Sequence, residues 1–329
     1  MKLLKLPMLV HQEIYGHLSV EEKLILSLCS RSTAYSIKQF RWNVLGVMFY
    51  FGPHWPGMRL EVPETMFFRG SEEFRFHSYN FLDGYFNLTE AKTDRVVCKC
   101  KFESKTNNFS GIQSHISELF SKSRQMKFTV TIAEIENYRW VPLVKRASFI
   151  KQPVNADQLQ EFISKHPDLE ALLIGEHING ELVPESNVFN VPNLRLDELS
   201  RPLVDYLKNF KGKNAFLWAP DDATIQVQYF IQLWYSGTFS QNLKAVFIHQ
   251  PANKKFFDSL LRPFLSLFKP WSETGMPNKW PYSYELEYYF HVDPAYFDFE
   301  GGVYIERKKD GRKATIELSD KVFLFCVWD

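Results

Sequence analysis

The chain has 329 residues, 45% hydrophobic and 16% aromatic with 30 Phe, 15 Tyr and 8 Trp, which is apolar surface enough for a sizeable core and excludes a disordered chain. Lys plus Arg total 39 against 38 Asp plus Glu, a formal charge of +1, so no general electrostatic pull toward nucleic acid or an anionic membrane is expected. Four cysteines in a chain of this length give no disulfide framework.

The first forty residues predict a compact helical cassette. Pro7 suits the first turn of a helix, where its missing N–H costs nothing. Val10, Ile14 and Leu18 then recur every four residues and predict one apolar stripe. Ser19 opens a second helix, with Glu22 placed for a reciprocal capping box and Leu24, Ile25 and Leu28 on the next apolar face. Tyr35, Ile37 and Phe40 indicate a third helix or turn. Gly16 inside the first helix costs roughly 1 kcal/mol relative to Ala. A cassette this small buries too little of its own surface to stand alone, so its stripes need covering by something else. The apolar run Leu6 to Val10 ends at His11, short of the ~7 to 15 residues of a signal core. No stretch approaches ~18 uninterrupted apolar residues, so no membrane span is expected and the expected location is cytoplasmic and/or nuclear.

A boundary is expected at residue 45, dividing 1–45 from 46–329. Val44 to Phe51 is apolar enough for a strand, and the Gly52-Pro53-His54-Trp55-Pro56-Gly57 run reads as a loop. From Met58 to Phe102 the text is that of antiparallel strands, with Met58 to Val62, Glu73 to His77 and Asp94 to Phe102 separated by turns such as Asp83-Gly84. Ile112, Ile116, Leu119 and Phe120 have helical spacing, and Phe128, Val130 and Ile132 alternate like a strand. The middle third carries a degenerate repeat of the Leu-x-x-Leu-x-Leu kind: Leu169, Leu172 and Ile174, then Val191, Leu194 and Leu196, then Leu243, Val246 and Ile248, with Phe216 and Trp218 as an irregular copy between. Helical text at 157–166 and 223–235 fills two of the gaps. Strand and helix alternating in this way favour a parallel sheet of leucine-rich-repeat-like units, with an ordinary α/β domain as the alternative.

The chain closes on three strands, Val303 to Lys308, Lys313 to Leu318 and Val322 to Trp328, joined by Asp310-Gly311 and Ser319-Asp320 as an antiparallel meander. The last strand lacks polar alternation, so both its faces should be covered. The basic residues Arg307, Lys308, Lys309, Arg312 and Lys313 flank the first turn and read as a solvated hairpin tip. Before the meander, Trp271, Trp280, Tyr282 and Tyr284 cluster among Pro270, Pro277 and Pro281, as lids over a core or as anchors for a bound protein. The fold class expected is α+β: a small N-terminal helical module, a larger α/β region and the C-terminal meander.

Mechanically demanding motifs are missing. There is no Gly-x-Ser-x-Gly elbow, phosphate loop, dinucleotide fingerprint or His-Glu-x-x-His pair, so no catalytic residue is assigned. Cys98 and Cys100 lie two apart on an expected strand and point the same way, but no second cysteine pair completes a zinc site. Cys29 reads as a small buried apolar residue and His177 as part of a loop. No metal and no cofactor are expected.

The order Leu6-Pro7, Glu13-Ile14, Leu18 and Leu26-Ser27-Leu28-Cys29-Ser30 resembles an F-box. The Phe162-Ile163 and Leu169-Glu170-Ala171-Leu172 middle, and the ending from Gly301-Gly302-Val303-Tyr304-Ile305-Glu306-Arg307 to Val327-Trp328, resemble the type 2 F-box-associated domain of nematode F-box proteins. Together the two resemblances cover nearly the whole chain. They imply that residues 1–45 dock on a Skp-type adaptor, and through it a cullin, while 46–329 recognise an unidentified protein substrate. Leu6, Pro7, Val10, Ile14, Leu18, Leu24 and Leu28 would form the adaptor-binding surface, and Trp271, Trp280 and Tyr282 would contact the substrate. Where many F-boxes carry a tryptophan in the last helix, this chain has Tyr35 and Phe40. A receptor of this kind works by holding a target near activated ubiquitin and needs no acid, base or nucleophile of its own. A protein-binding scaffold with no ligase role is the alternative expectation.

Overall fold

A computed structural model describes residues 5–42, 44, 46–51, 56–61, 74–80, 85–90, 96–101, 108–122, 127–138, 141, 143–219, 223–238, 241–249, 262–273, 275, 277–281, 297–299, 302–318 and 322–328. Between 56 and 113 only backbone elements are described, so the side chains of Cys98 and Cys100 lie outside the described residues, as do Tyr282, Tyr284, the turns expected at 83–84 and 319–320, and residues 52–55 of the loop expected at 52–57, whose last two residues instead open a strand. Helices and strands are mixed throughout, and the chain forms two compact units, Met1–Ala147 and Ser148–Asp329.

The first unit opens with α1 (Met8–Gly16), α2 (Val20–Cys29) and α3 (Arg31–Lys38). Pro7 is the N-cap of α1, and its carbonyl accepts from the amides of Val10 and His11. The capping box of α2 is made: the Glu22 amide donates to Ser19 Oγ at 3.1 Å and the Ser19 amide donates to Glu22 Oε2 at 2.8 Å. Strands β1 (Gly46–Phe51), β2 (Pro56–Glu61), β3 (Phe74–Asn80), β4 (Tyr85–Glu90) and β5 (Val96–Lys101) pair antiparallel in sequence order. After α4 (Asn108–Leu119), β6 (Lys127–Ile132) returns beside β1 in parallel. Phe49, Phe51, Val130 and Ile132 are buried, and Phe49 stacks on Phe128. The unit boundary falls within β7 (Val144–Phe149).

In the second unit β8 (Val154–Asn155), α5 (Ala156–Lys165), β9 (Ala171–Ile174), β10 (Ile178–Asn179), β11 (Asn193–Leu196), α6 (Leu203–Asn209), β12 (Asn214–Trp218), α7 (Thr224–Ser236) and β13 (Ala245–His249) alternate strand with helix or turn. Strands β9, β11, β12 and β13 run parallel. They are followed by β14 (Lys269–Pro270), β15 (Val303–Glu306), β16 (Lys313–Leu318) and β17 (Val322–Val327). Strand β17 pairs antiparallel with β13, then β16, β15 and β14 continue outward, each antiparallel to the last.

Register separates the two faces of this sheet. Leu172, Leu194, Ala215 and Val246 stand in one row and Ile174, Leu196, Leu217 and Ile248 in the next, all buried. The irregular copy was expected at Phe216 and Trp218, and the register instead places Ala215 and Leu217 in it. Alternation along a strand turns a one-residue slip into the opposite face. Phe216 therefore faces the other way, against Phe247 at 5.9 Å, and Trp218 is 38% exposed. Behind the leucine rows, α7 packs Phe230 and Trp234 edge-on against Phe325 of β17.

The opposite face carries a second cluster, in which Trp271, Trp280, Phe297, Phe299 and Trp328 cover Phe216, Ala245, Leu324 and Cys326. Arg307, expected as part of a solvated tip, is buried. Its guanidinium lies over the Trp234 ring and pairs with Asp310, which the Gly311 turn at φ 72° brings back to it. That pairing holds the Asp310 carboxyl below its usual range.

Candidate protein-docking surface

The cassette turns its inner surfaces to α4. Ser27 Oγ donates to the Leu24 carbonyl at 2.6 Å and also lies 2.7 Å from His115 Nε2, so the histidine must be the donor in that second contact. Burial pushes the His115 pKa down, consistent with a neutral ring there. Lys38 bonds Glu118 at 2.6 Å, which holds that carboxyl below its usual range, and Lys122 reaches the Gln39 carbonyl at 2.5 Å. Lys23 is buried: its ammonium donates to the Leu18 carbonyl at 2.5 Å and sits 4.3 Å from the centre of the Trp42 ring. These contacts fix α2 and α3 and leave the outer side of α1 uncovered.

Helix α1 is built the reverse of an ordinary surface helix. Its buried residues are His11 and Tyr15, one turn apart. His11 Nδ1 lies 3.1 Å from Ser36 Oγ, and Tyr15 packs edge-on to Phe40. The apolar residues point outward, with Met8 60% exposed, Leu9 78% and Val10 40%. Across from them on α3 stands Tyr35, 69% exposed. Between the two helices lies a groove of about 560 Å³, lined by Met8 and Tyr35 at its edge, Phe40 at its apolar base, and Arg31, Ser32 and Gln39.

Of the residues expected to bind an adaptor, Pro7 and Val10 are exposed, and Leu6, Ile14, Leu18 and Leu28 are half-buried. Cys29, expected to be buried, is exposed, whereas Leu24 is fully buried. A side chain with no surface offers nothing to a partner, so Leu24 holds the cassette together instead. Met8, Leu9 and Tyr35 are the residues that sequence reasoning missed. Their signal was available: three successive apolar residues, Met8-Leu9-Val10, span about 200° of a helix and cannot all face one core.

Trp271 and Trp280, expected to touch a substrate, are buried in the aromatic cover. Trp280 Nε1 donates to the Val327 carbonyl at 3.0 Å, and the Trp271 ring lies 4.6 Å from that of Trp328. Both rings are buried lids, Trp280 with an internal partner for its indole N–H, and they expose nothing for recognition. Tyr282 lies outside the described residues. Other exposed apolar side chains in the second unit include Ile225 and Tyr229, one turn apart on α7.

Among the described residues no group of three or more His, Cys, Asp or Glu is placed to hold a metal ion. No helix among them is long and apolar enough to cross a membrane. No protein-family model matches the chain, and no curated protein matches it.

Proposed function

We propose that the chain is a substrate receptor of a Skp-cullin-F-box ubiquitin ligase: the N-terminal helices dock on a Skp-type adaptor, and the remainder presents a protein for ubiquitination. One observation carries this reading. Helix α1 completes its own core with His11 and Tyr15 and leaves Met8, Leu9 and Val10 facing outward. Exposed apolar residues on a helix, beside a groove, are the geometry by which helical modules bind other chains. The docking surface in this reading runs from Leu6 and Pro7 through Leu9, Val10 and Ile14 to Tyr35, with Leu18 and Leu28 at its half-buried edge. The larger part, with its leucine-rich-repeat-like rows and C-terminal meander, acts as the F-box-associated substrate domain. Catalysis by proximity asks nothing of this chain but geometry.

The test is direct binding of purified protein to a Skp-type adaptor by calorimetry. Leu9→Asp with Val10→Asp places two charges in the apolar surface and should weaken binding by roughly thirtyfold or more, the ~2 kcal/mol of a hot spot. The Leu6→Ala, Pro7→Ala pair should also lose most binding. Retained affinity in variants with native far-ultraviolet dichroism rejects this surface as the docking edge. A second reading, a protein-binding scaffold without ligase partners, is favoured by the exposed Ile225 and Tyr229 pair on α7. It predicts partners whose abundance is unchanged when this chain is removed.

A further inference from the structure

The second unit gathers lysines from separate parts of the chain at one end of its sheet. Lys208 lies in the last turn of α6 and Lys211 just beyond it, Lys213 and Lys244 stand immediately before β12 and β13, and Lys308 and Lys309 belong to the turn between β15 and β16. Hydrogen bonds bring these segments side by side. Strands β12 and β13 are parallel neighbours with Asn214 opposite Ala245, and the Lys244 amide donates to the Lys213 carbonyl at 2.7 Å. The Asn242 side-chain amide donates to the Lys211 carbonyl at 3.5 Å, and the Gln241 carbonyl beside it accepts from the Arg312 guanidinium at 2.7 Å, which ties the hairpin to the end of α6. The hairpin tip also seats on the end of α7. The Lys308 amide donates to the Tyr235 carbonyl at 3.0 Å, the Lys308 ammonium lies 4.9 Å from the centre of the Tyr235 ring, and a Cβ on Gly237 would come within 2.5 Å of Lys309 Cβ. Lys208, Lys211, Lys213, Lys308 and Lys309 all expose their side chains.

The segments that supply these lysines bring few carboxylates with them. No Asp or Glu occurs between Tyr206 and Pro220 or between Ala223 and Phe257, and Asp310 in the hairpin turn is bound by Arg307 at 2.7 Å. Asp168 and Glu170 precede β9, two strands away from β12 at the same end of the sheet, and Asp329 lies outside the described residues. In a chain of net charge +1 this is a local concentration of positive charge, assembled by the fold. We propose that the lysine-rich end of the second unit binds an acidic protein segment, a stretch of Asp and Glu carried by the substrate. The inference rests on the substrate-receptor reading and gives that substrate its chemistry. Charge complementarity carries it: a run of carboxylates on an extended chain asks for several exposed cations within one surface, and long lysine stems reach it without a shaped pocket. Nucleic acid fits less well. Lysine is a point charge without the planar fork that reads bases, and the Tyr235 ring is half-buried with the Lys308 ammonium above it, which leaves no open platform for base stacking there.

The experiment is fluorescence anisotropy of the full chain, without adaptor, with a labelled peptide of alternating Glu and Ser. The peptide should bind at about 50 mM salt and weaken roughly tenfold at about 200 mM, because exposed charges are screened. Lys211→Glu and Lys308→Glu should each weaken binding about threefold, and together about tenfold, since both side chains serve one surface. Lys279→Glu, at an exposed position in the segment that carries Trp280, changes the net charge equally and should leave binding within about 1.5-fold of wild type. An oligothymidylate of equal charge should bind at least about threefold more weakly than the peptide. Absence of peptide binding at the lower salt, an equal loss in Lys279→Glu and Lys308→Glu, or tighter binding of the oligothymidylate each overturns the proposal. Because the adaptor is left out, a failure here leaves docking through α1 standing, and a failure of that docking leaves the peptide result unchanged.

Discussion

Helices α1 and α5 are similar in length, nine and ten residues, and opposite in construction. Helix α5 buries Ala156, Leu159, Phe162 and Ile163 on one side and is capped by Asn155 Oδ1, which accepts from the Asp157 amide at 2.9 Å. Its outer side carries charge, including the Glu161–Lys165 pair one turn apart, which holds the Glu161 carboxyl below its usual range. Helix α1 buries a histidine and a tyrosine, has no side-chain cap and shows its apolar residues to solvent. A helix such as α5 gains its stability inside its own unit. One such as α1 keeps part of its apolar area in reserve, so the same kind of residue is worth different things in the two places.

That contrast is sharpest in a pair of truncations. Phe162→Ala should cost about 3–5 kcal/mol in denaturant unfolding, because the ring meets Phe149 edge-on at 5.1 Å and leaves a cavity when removed. Leu9→Ala should fall within about 0.5 kcal/mol of wild type, since its side chain is mostly in solvent. Equal costs would mean that α1 is seated elsewhere in solution. A smaller effect concerns acid. His166, which follows α5 and lies 4.6 Å from the Phe162 ring, is held neutral chiefly by burial and next by Lys165, down to about 4. The unfolded chain titrates near 6.5, so below that pH it takes up a proton that the folded ring refuses. Stability of the second unit should therefore fall as pH drops from about 6.5 to about 4 and be level above, a loss that His166→Asn should remove. The smallest effect is expected at the end of α1. A Cβ on Gly16 would meet nothing within 4 Å, so Gly16→Ala should raise the melting midpoint slightly, by roughly 0.5 kcal/mol in stability. A loss instead would show that the glycine is needed for the turn into α2.

Much of the local structure was legible in the residues. The capping box at Ser19 and Glu22, helices near 157–166 and 223–235, and strands near 313–318 and 322–328 lie within one or two residues of α2, α5, α7, β16 and β17. Each rests on interactions between near neighbours, which spacing reports well. Helix α6 went unread because seven residues after Pro202 leave barely two turns to show a period. Strand β4 went unread because Asn87 and Glu90 interrupt its apolar pattern. In the candidate site the ambiguity was one of face. Val10, Ile14 and Leu18 satisfy the four-residue spacing, but so do His11 and Tyr15, and periodicity gives no reason to choose between them.

From the sequence alone came the cassette and its caps, the alternation of strand and helix in the middle, and an abundance of aromatic residues that had to be buried somewhere. Only the tertiary structure decided that Tyr15 and His11 face Phe40 and Ser36 while Leu9 faces water, that Phe216 and Leu217 point to opposite faces of the sheet, and that Trp271 and Trp280 close over Leu324 instead of standing free. The reason is physical. Spacing along the chain sets which side chains share a face, but burial depends on which distant residues arrive opposite that face, as Phe325 arrives against Phe230.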